Sequence, residues 1–348
     1  VKKFPFATAF GFAGAGLFAT LFAGAAAATE TPSPTALTLI NGWTNAPFST
    51  SPAAAETLSN TVHLKGAIAT SGTNPVPFVL PTSFRPATDV YVPVDLCGAT
   101  NGRLFISHSG TVTVQAETSF ANAQCFTSLD SVTYAKNTSG YTNLTLINGW
   151  TGAGFSTSAP AVRLISGIVR LKGSIETSGT NTEPFVLPVG VRPSTNVYVP
   201  VDLCNAAKGR LIIQPTGDVT VQAENNFSDA QCFTSLDGAS FGLAAFKPLK
   251  LKHGWLNSPY GTAVPAVKTI AGAVHFQGAM VTAGTNTLPF VLPAAYRPTT
   301  NVYIPVDMCN ATNGRLNISP NGVVSVQAET AFSNAQCFTS LEGASFVK

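Results

Sequence analysis

Apolar and polar residues alternate with a period of two along much of the chain. Beyond residue 28, no segment keeps an apolar period of 3.6 over three turns. In Val90-Tyr91-Val92-Pro93-Val94-Asp95 the valines alternate with Tyr91, Pro93 and Asp95. Leu104 and Ile106 fall on one side of their segment, and Val112 and Val114 alternate with Thr113 and Gln115. Two-residue spacing predicts strands with one buried face. The predicted strands are residues 37–43, 61–70, 77–80, 89–97, 103–107, 111–117 and 125–134, with Trp43 closing the first. Turn signals separate them at Ser71-Gly72-Thr73-Asn74, Arg85-Pro86, Asn101-Gly102 and Ser109-Gly110. Short strands at this density predict an all-β fold, an antiparallel β-sandwich or jelly-roll-like barrel.

The same pattern returns twice more. Trp43, Trp150 and Trp255 are spaced by 107 and 105 residues, and so are Cys97, Cys204 and Cys309. VYVPVDLC at Val90 returns unchanged at Val197 and as VYIPVDMC at Val302. A period near 106 residues is too long for a solenoid unit and suits a whole small domain. The chain therefore reads as three tandem domains, copy 1 at 37–134, copy 2 at 144–241 and copy 3 at 251–348. Connectors occupy 135–143 and 242–250, and a brief leader occupies 29–36. Differences between copies separate the faces: Leu104 and Ile106 return as Leu211 and Ile213, then Leu316 and Ile318, while Phe105 becomes Ile212 and Asn317. One side is buried and the other tolerant.

The N-terminus changes the picture of where the protein works. Lys2 and Lys3 precede an uncharged run from Phe4 to Ala28, and Ala26 and Ala28 satisfy the small-residue cleavage rule. Residues 1–28 read as a signal peptide, with an uncleaved membrane anchor as the rival. Val1 reads as a non-standard start codon translated literally. Once that segment is removed the chain is expected to be secreted, with no membrane span. Lys2 and Lys3 are two of 19 basic residues, set against 16 acidic ones, so the remainder is near neutral and carries no footprint for nucleic acid.

Six cysteines divide as two per copy, 28 residues apart each time. In an exported chain this reads as the disulfides Cys97–Cys125, Cys204–Cys232 and Cys309–Cys337, with pairing between copies as the alternative. Zinc explains them less well, because no CxxC or paired histidine accompanies them. No histidine position is filled in all three copies: His63 corresponds to Arg170 and His275, so a histidine-based site shared by all copies is excluded. Surface or strand-face histidines are the plain reading. No metal and no cofactor is expected.

Four charged positions recur throughout, represented by Arg85, Asp95, Arg103 and Glu117. Asp95, Arg103 and Glu117 return as Asp202, Arg210 and Glu224, then as Asp307, Arg315 and Glu329. Two readings stand. An Arg–carboxylate pair pins the loop after the first cysteine, or the three residues form a small polar binding site. Paired carboxylates also serve glycoside hydrolysis when they face each other across a cleft, but the spacing shows no such cleft. Tyr91, Tyr198 and Tyr303 alternate with valines and are candidates for exposed or interface aromatics. Trp43 and its counterparts read as core rather than as sugar-stacking rings. Residues 44–60 differ most between copies and read as a variable loop or a recognition loop.

Short motifs carry a resemblance. They are Val62-His63-Leu64-Lys65-Gly66 after Trp43, then Phe78-Val79-Leu80-Pro81, Phe84-Arg85-Pro86, Gly102-Arg103-Leu104 and Gly110-Thr111-Val112. Together they resemble the receptor-binding tip domain of phage tail fibres and related secreted β-sandwich modules. The resemblance implies a β-sandwich head, trimeric assembly and binding of cell-surface sugars. Three copies on one chain also allow an intramolecular pseudo-trimer, since a nine-residue connector reaches roughly 30 Å when extended.

The function expected first is that of an exported, non-catalytic binding protein recognising glycans or another envelope component. A structural packing protein of the cell surface is the alternative, and an extracellular hydrolase comes third. No catalytic residue is assigned.

Overall fold

In copy 1, residues with alternating burial form strands, and tight turns tie them into two packed layers. The computed structural model describes residues 34–348. The signal-peptide reading and its cleavage point near Ala28 lie outside the described residues. The ten strands of copy 1 are β1 (Thr35–Ala36), β2 (Trp43–Asn45), β3 (Ala54–Leu58), β4 (Thr61–Lys65), β5 (Ala67–Thr70), β6 (Val90–Asp95), β7 (Asn101–Ile106), β8 (Val112–Ala116), β9 (Thr127–Ser128) and β10 (Thr133–Ala135). One short helix, α1 (Phe120–Cys125), joins β8 to β9, and the Ser119 hydroxyl accepts from the Ala121 N–H at its start. Three antiparallel sheets result, with orders β1-β3-β4-β10, β2-β5-β9 and β6-β7-β8. Copies 2 and 3 repeat them, each adding a two-residue strand (Phe185–Val186, Phe290–Val291) to the last sheet.

The all-β, three-domain reading holds, and each copy closes its own core. In copy 1 that core joins Trp43, Val62, Leu64, Phe78, Leu104 and Val114 with Val90, Val92 and Val94 of β6. Trp43 is buried and its indole N–H donates to the Asn74 carbonyl at 2.9 Å, so it is a core residue. The three disulfides form within copies as read, Cys97–Cys125, Cys204–Cys232 and Cys309–Cys337. They tie the turn after β6 and its counterparts to the last residue of each short helix. Such bonds fit an oxidising, non-cytoplasmic compartment. No helix among the described residues is long and apolar enough to cross a membrane.

Several strands differ from their sequence-based bounds. Residues 37–42 are not a strand, and Trp43 opens β2 rather than closing the segment before it. Residues 61–70 break at Gly66 into β4 and β5, which belong to different sheets. Gly66 sits at φ 90°, and a Cβ there would collide with the Ser51 and Pro52 carbonyls. Only glycine makes that corner, which explains the V-x-L-x-G motif. The loop read at 44–60 contains β3, whose Ala54 and Ala55 lack the β-branched signature that marks strands. Asn101-Gly102 is not a turn: both residues are buried in β7, and Cys97–Ala99 makes the reversal instead. Residue 125 ends α1 rather than opening a strand. The connectors are partly drawn into sheets, since Ala135 ends β10, Thr142–Asn143 pairs with Ala161–Ile165, and Lys247–Pro248 pairs with Ala266–Ile270.

The three copies form one compact unit. The Arg103 side chain of copy 1 reaches copy 2, Arg210 of copy 2 reaches copy 3, and Arg315 of copy 3 returns to copy 1. The order closes on itself, so the copies form a ring about a pseudo-threefold axis.

Candidate functional site

The site begins with strands β6 and β7 and their counterparts in the other copies. Antiparallel pairing sets Tyr91 opposite Phe105 and Pro93 opposite Arg103, so Tyr91 and Arg103 are diagonal neighbours on one face. The guanidinium of Arg103 lies 4.9 Å over the Tyr91 ring, and Arg210 and Arg315 lie 5.0 Å over Tyr198 and Tyr303. Each arginine is fixed further by a glutamine across the next strand, as Arg103 Nε donates to Gln115 Oε1 at 2.6 Å.

From there each arginine crosses to the next copy. Arg103 Nη1 donates to Asp202 Oδ2 at 2.9 Å and to the Leu203 carbonyl at 3.1 Å. Arg210 Nη1 does the same to Asp307 Oδ2 (3.0 Å) and the Met308 carbonyl (3.1 Å). Arg315 Nη1 does so to Asp95 Oδ2 (3.2 Å) and the Leu96 carbonyl (3.4 Å). The recurring Arg–Asp pair therefore runs between copies, not within one loop. The sequence left this open because every copy carries both partners at the same spacing. The serine of each CFTSL segment adds a second tie: Ser235 Oγ donates to the Tyr91 carbonyl at 2.6 Å, Ser340 to Tyr198 at 2.7 Å and Ser128 to Tyr303 at 2.6 Å.

All three aspartates are fully buried, and no substrate reaches them. Burial pushes Asp95 and Asp202 up to about 7, with Arg315 and Arg103 pulling the other way. Asp307 differs in contacting a second cation, the buried Lys208 ammonium at 3.3 Å. Glu117, Glu224 and Glu329 are half-buried and gather about the axis. Burial raises all three, Glu224 and Glu329 to about 7, and the other two glutamates add to the rise at Glu329. No three His, Cys, Asp or Glu side chains among the described residues are spaced to hold a metal.

Toward solvent, three aromatic rings gather at each boundary, and at two of the three boundaries they frame an open pocket. Tyr91 meets Phe233 of copy 2 edge-on at 4.9 Å, and Phe233 meets Phe155 at 5.1 Å. Tyr198 meets Phe338 of copy 3 at 4.9 Å, and Phe338 meets Tyr260 at 5.6 Å. Tyr303 meets Phe126 of copy 1 at 5.0 Å, and Phe126 meets Phe48 at 5.7 Å. Between copies 1 and 2 the pocket is about 80 Å³, lined by Tyr91, Arg103, Phe155, Cys204, Asn205 and Phe233. Between copies 2 and 3 it is about 150 Å³, lined by Tyr198, Arg210, Tyr260, Cys309, Asn310 and Phe338.

The outermost ring of each trio comes from the stretch that differs most between copies. Phe48, Phe155 and Tyr260 are 58%, 55% and 60% exposed. Their φ angles are 55°, 55° and 54°, left-handed backbone that costs an aromatic residue on the order of 1–3 kcal/mol. The neighbouring copy holds them there. Asn301 donates through its side chain to the Phe48 carbonyl at 3.0 Å, and Asn196 donates to the Tyr260 carbonyl at 2.9 Å. The Asp89 N–H donates to the Ser156 carbonyl at 3.1 Å.

The candidates thus fall into two groups. Tyr91, Tyr198 and Tyr303 lie at the boundaries, Tyr91 and Tyr198 lining the two pockets, while Asp95, Arg103 and their counterparts seal the copies together. Sequence reasoning missed Phe126, Phe233 and Phe338, and the exposed trio Phe48, Phe155 and Tyr260. The signal for the trio was an aromatic kept at the same 107 and 105 spacing inside an otherwise dissimilar stretch. It also missed Asp130, Asp237 and Glu342, each fully buried and accepting from the corner glycine N–H. The third copy's change from Asp to Glu hid that recurrence.

The histidines divide between the two expected places. His63 and His275 are strand-face residues, on Thr61–Lys65 and Ala273–Gln277, buried rather than at the surface, and with Arg170 they line one small cavity. His108 and His253 are exposed.

Compared with family models, with curated proteins and with solved structures, the chain finds no match.

Proposed function

We propose that the chain is an exported, non-catalytic binding protein that takes up sugar rings of surface glycans in the pockets between its copies. One observation carries the reading. Aromatic rings, a guanidinium and an asparagine converge in each of two open clefts, of about 80 and 150 Å³. Aromatic faces stack against the apolar faces of a pyranose, and Arg and Asn supply directional donors for its hydroxyls. The strained backbone under Phe155 and Tyr260 supports this reading, because such strain persists where neighbours impose it and recurs at ligand clamps. The buried aspartates weigh against catalysis, since a carboxylate locked to an arginine of the next copy has no access to a glycosidic bond. The reading does not need the likeness to tail-fibre tips, although sugar binding is what that likeness implied.

A glycan array probed with the chain lacking residues 1–28 tests the proposal. Binding that falls at least tenfold in both Phe155→Ala and Tyr260→Ala supports it. Absence of binding to any glycan would favour the alternative of a structural packing protein, in which the seam is the product of selection and the pockets are incidental.

A further inference from the structure

At one seam position the three copies differ in a way that reports on what fills it. Asn101, Lys208 and Asn313 are equivalent, each the first residue of the strand after the tight reversal. Lys208 is fully buried; its ammonium contacts Asp307 Oδ1 of copy 3 at 3.3 Å and the Gly209 carbonyl at 2.8 Å. Asp307 therefore has a cation on each oxygen, Arg210 on Oδ2 and Lys208 on Oδ1.

The other two boundaries lack that second cation. Asn101 turns its amide N–H to the Ala206 carbonyl, and Asn313 turns its own to the Ala99 carbonyl, both at 2.8 Å. What remains there is a set of buried oxygens without partners: Asp202 Oδ1 and Asn101 Oδ1 at one boundary, Asp95 Oδ1 and Asn313 Oδ1 at the other. Asparagine is two bonds shorter than lysine, so the place held by the Lys208 ammonium is not filled by protein from that position. Charge points the same way. With every carboxyl ionised, as the test at pH 8 favours, three aspartates and three glutamates set against three arginines and Lys208 leave the seam two positive charges short. Two is also the number of boundaries where asparagine stands for lysine. Buried carboxylate oxygens without a partner cost several kcal/mol, and hard oxygen donors select hard cations.

We propose that each asparagine-bearing boundary binds one alkali-metal cation, held by the free aspartate oxygen and the free asparagine amide oxygen, where Lys208 supplies the ammonium in the third. A single carboxylate per site suits a monovalent ion and explains why no three-acid metal cluster is present among the described residues. The cations complete the ring, and their binding is independent of any sugar in the outer pockets.

Thermal melts at pH 8 and constant ionic strength read the effect. Sodium or potassium chloride is expected to raise Tm by about 3 °C or more over tetramethylammonium chloride, whose cation is too large to enter. The double variant Asn101→Lys, Asn313→Lys should lose that difference and, in tetramethylammonium, melt at or above the wild type in potassium. Crystals of the wild-type chain soaked in thallium(I) acetate should show two anomalous peaks, beside Asp95 and Asp202, and none beside Asp307. Equal Tm in all three salts, or no peak at either aspartate, overturns the proposal. If the lysine variant fails to fold, the thallium peaks decide.

Discussion

The copies meet in two ways at each boundary, and the two regions follow different rules. In the seam, Arg103, Arg210 and Arg315 bind Asp202, Asp307 and Asp95, and this Arg–Asp pair repeats without substitution although Asn101, Lys208 and Asn313 beside it differ. At the lip, Phe48, Phe155 and Tyr260 stand on a stretch that otherwise changes from copy to copy. The seam aspartates are fully buried, while the lip rings are more than half exposed and strained. A buried charge pair tolerates no drift, because the loss of either partner strands the other away from water. An exposed ring can change identity at little cost to the fold. The contrast assigns closure of the ring to the seam and contact with a ligand to the lip.

Breaking the seam should give the largest effect. Asp202→Ala leaves Arg103 without its carboxylate and is expected to cost about 3–5 kcal/mol in urea denaturation. The paired change Arg103→Met, Asp202→Leu should recover most of that loss. If the single change proves neutral, the seam does not hold the copies together.

The next effect comes from pH. Burial raises Asp130 and Asp237 to about 7 and Glu342 to about 8. A carboxyl whose folded pKa lies above its unfolded value keeps its proton to a higher pH in the native state than in the unfolded chain. Its contribution to stability is therefore complete near pH 4 and is lost as pH rises through 7 to 8. Asp95, Asp202, Glu224 and Glu329 act in the same direction. His63 and His275 oppose them: burial and Arg170 lower both, His275 to about 3, so they favour the fold increasingly as pH rises toward 6.5. Two histidines against seven carboxylates leave the net sign with the carboxylates. Stability should fall by a few kcal/mol between pH 5 and pH 8, and Asp130→Asn should flatten the curve. A protein more stable at pH 8 than at pH 5 would contradict this.

The smallest effect on stability belongs to the lip. Phe155→Ala and Tyr260→Ala should each change the free energy of unfolding by less than about 1 kcal/mol, since half-exposed rings bury little area and alanine keeps the same backbone conformation. The same variants should lose ligand binding at least tenfold. A large stability loss with binding intact would reverse the roles of the two regions.

Much of the fold was legible because its strands alternate. Val90, Val92 and Val94 face the core as the two-residue period requires, and Leu104, Ile106, Val112 and Val114 do the same. The cysteine spacing gave the disulfides directly. The helix Phe120–Cys125 was not legible, since six residues are too few to display a period. The strand Ala54–Leu58 was hidden by its alanines, and Asn101-Gly102 looked like a turn although Asn101 is buried against copy 2. The site was less legible than the fold. Repetition flagged Arg103 and Asp95 as important but could not say whether they pair within a copy or across a boundary. That is a fact of assembly, and identical copies carry identical spacings.

Small-angle X-ray scattering of the chain lacking residues 1–28 tests the ring most directly. A closed arrangement of this length predicts a radius of gyration of roughly 20 Å and a single compact distance distribution. A radius well above that, with separate maxima for neighbouring and end domains, would show the copies strung out and contradict the account.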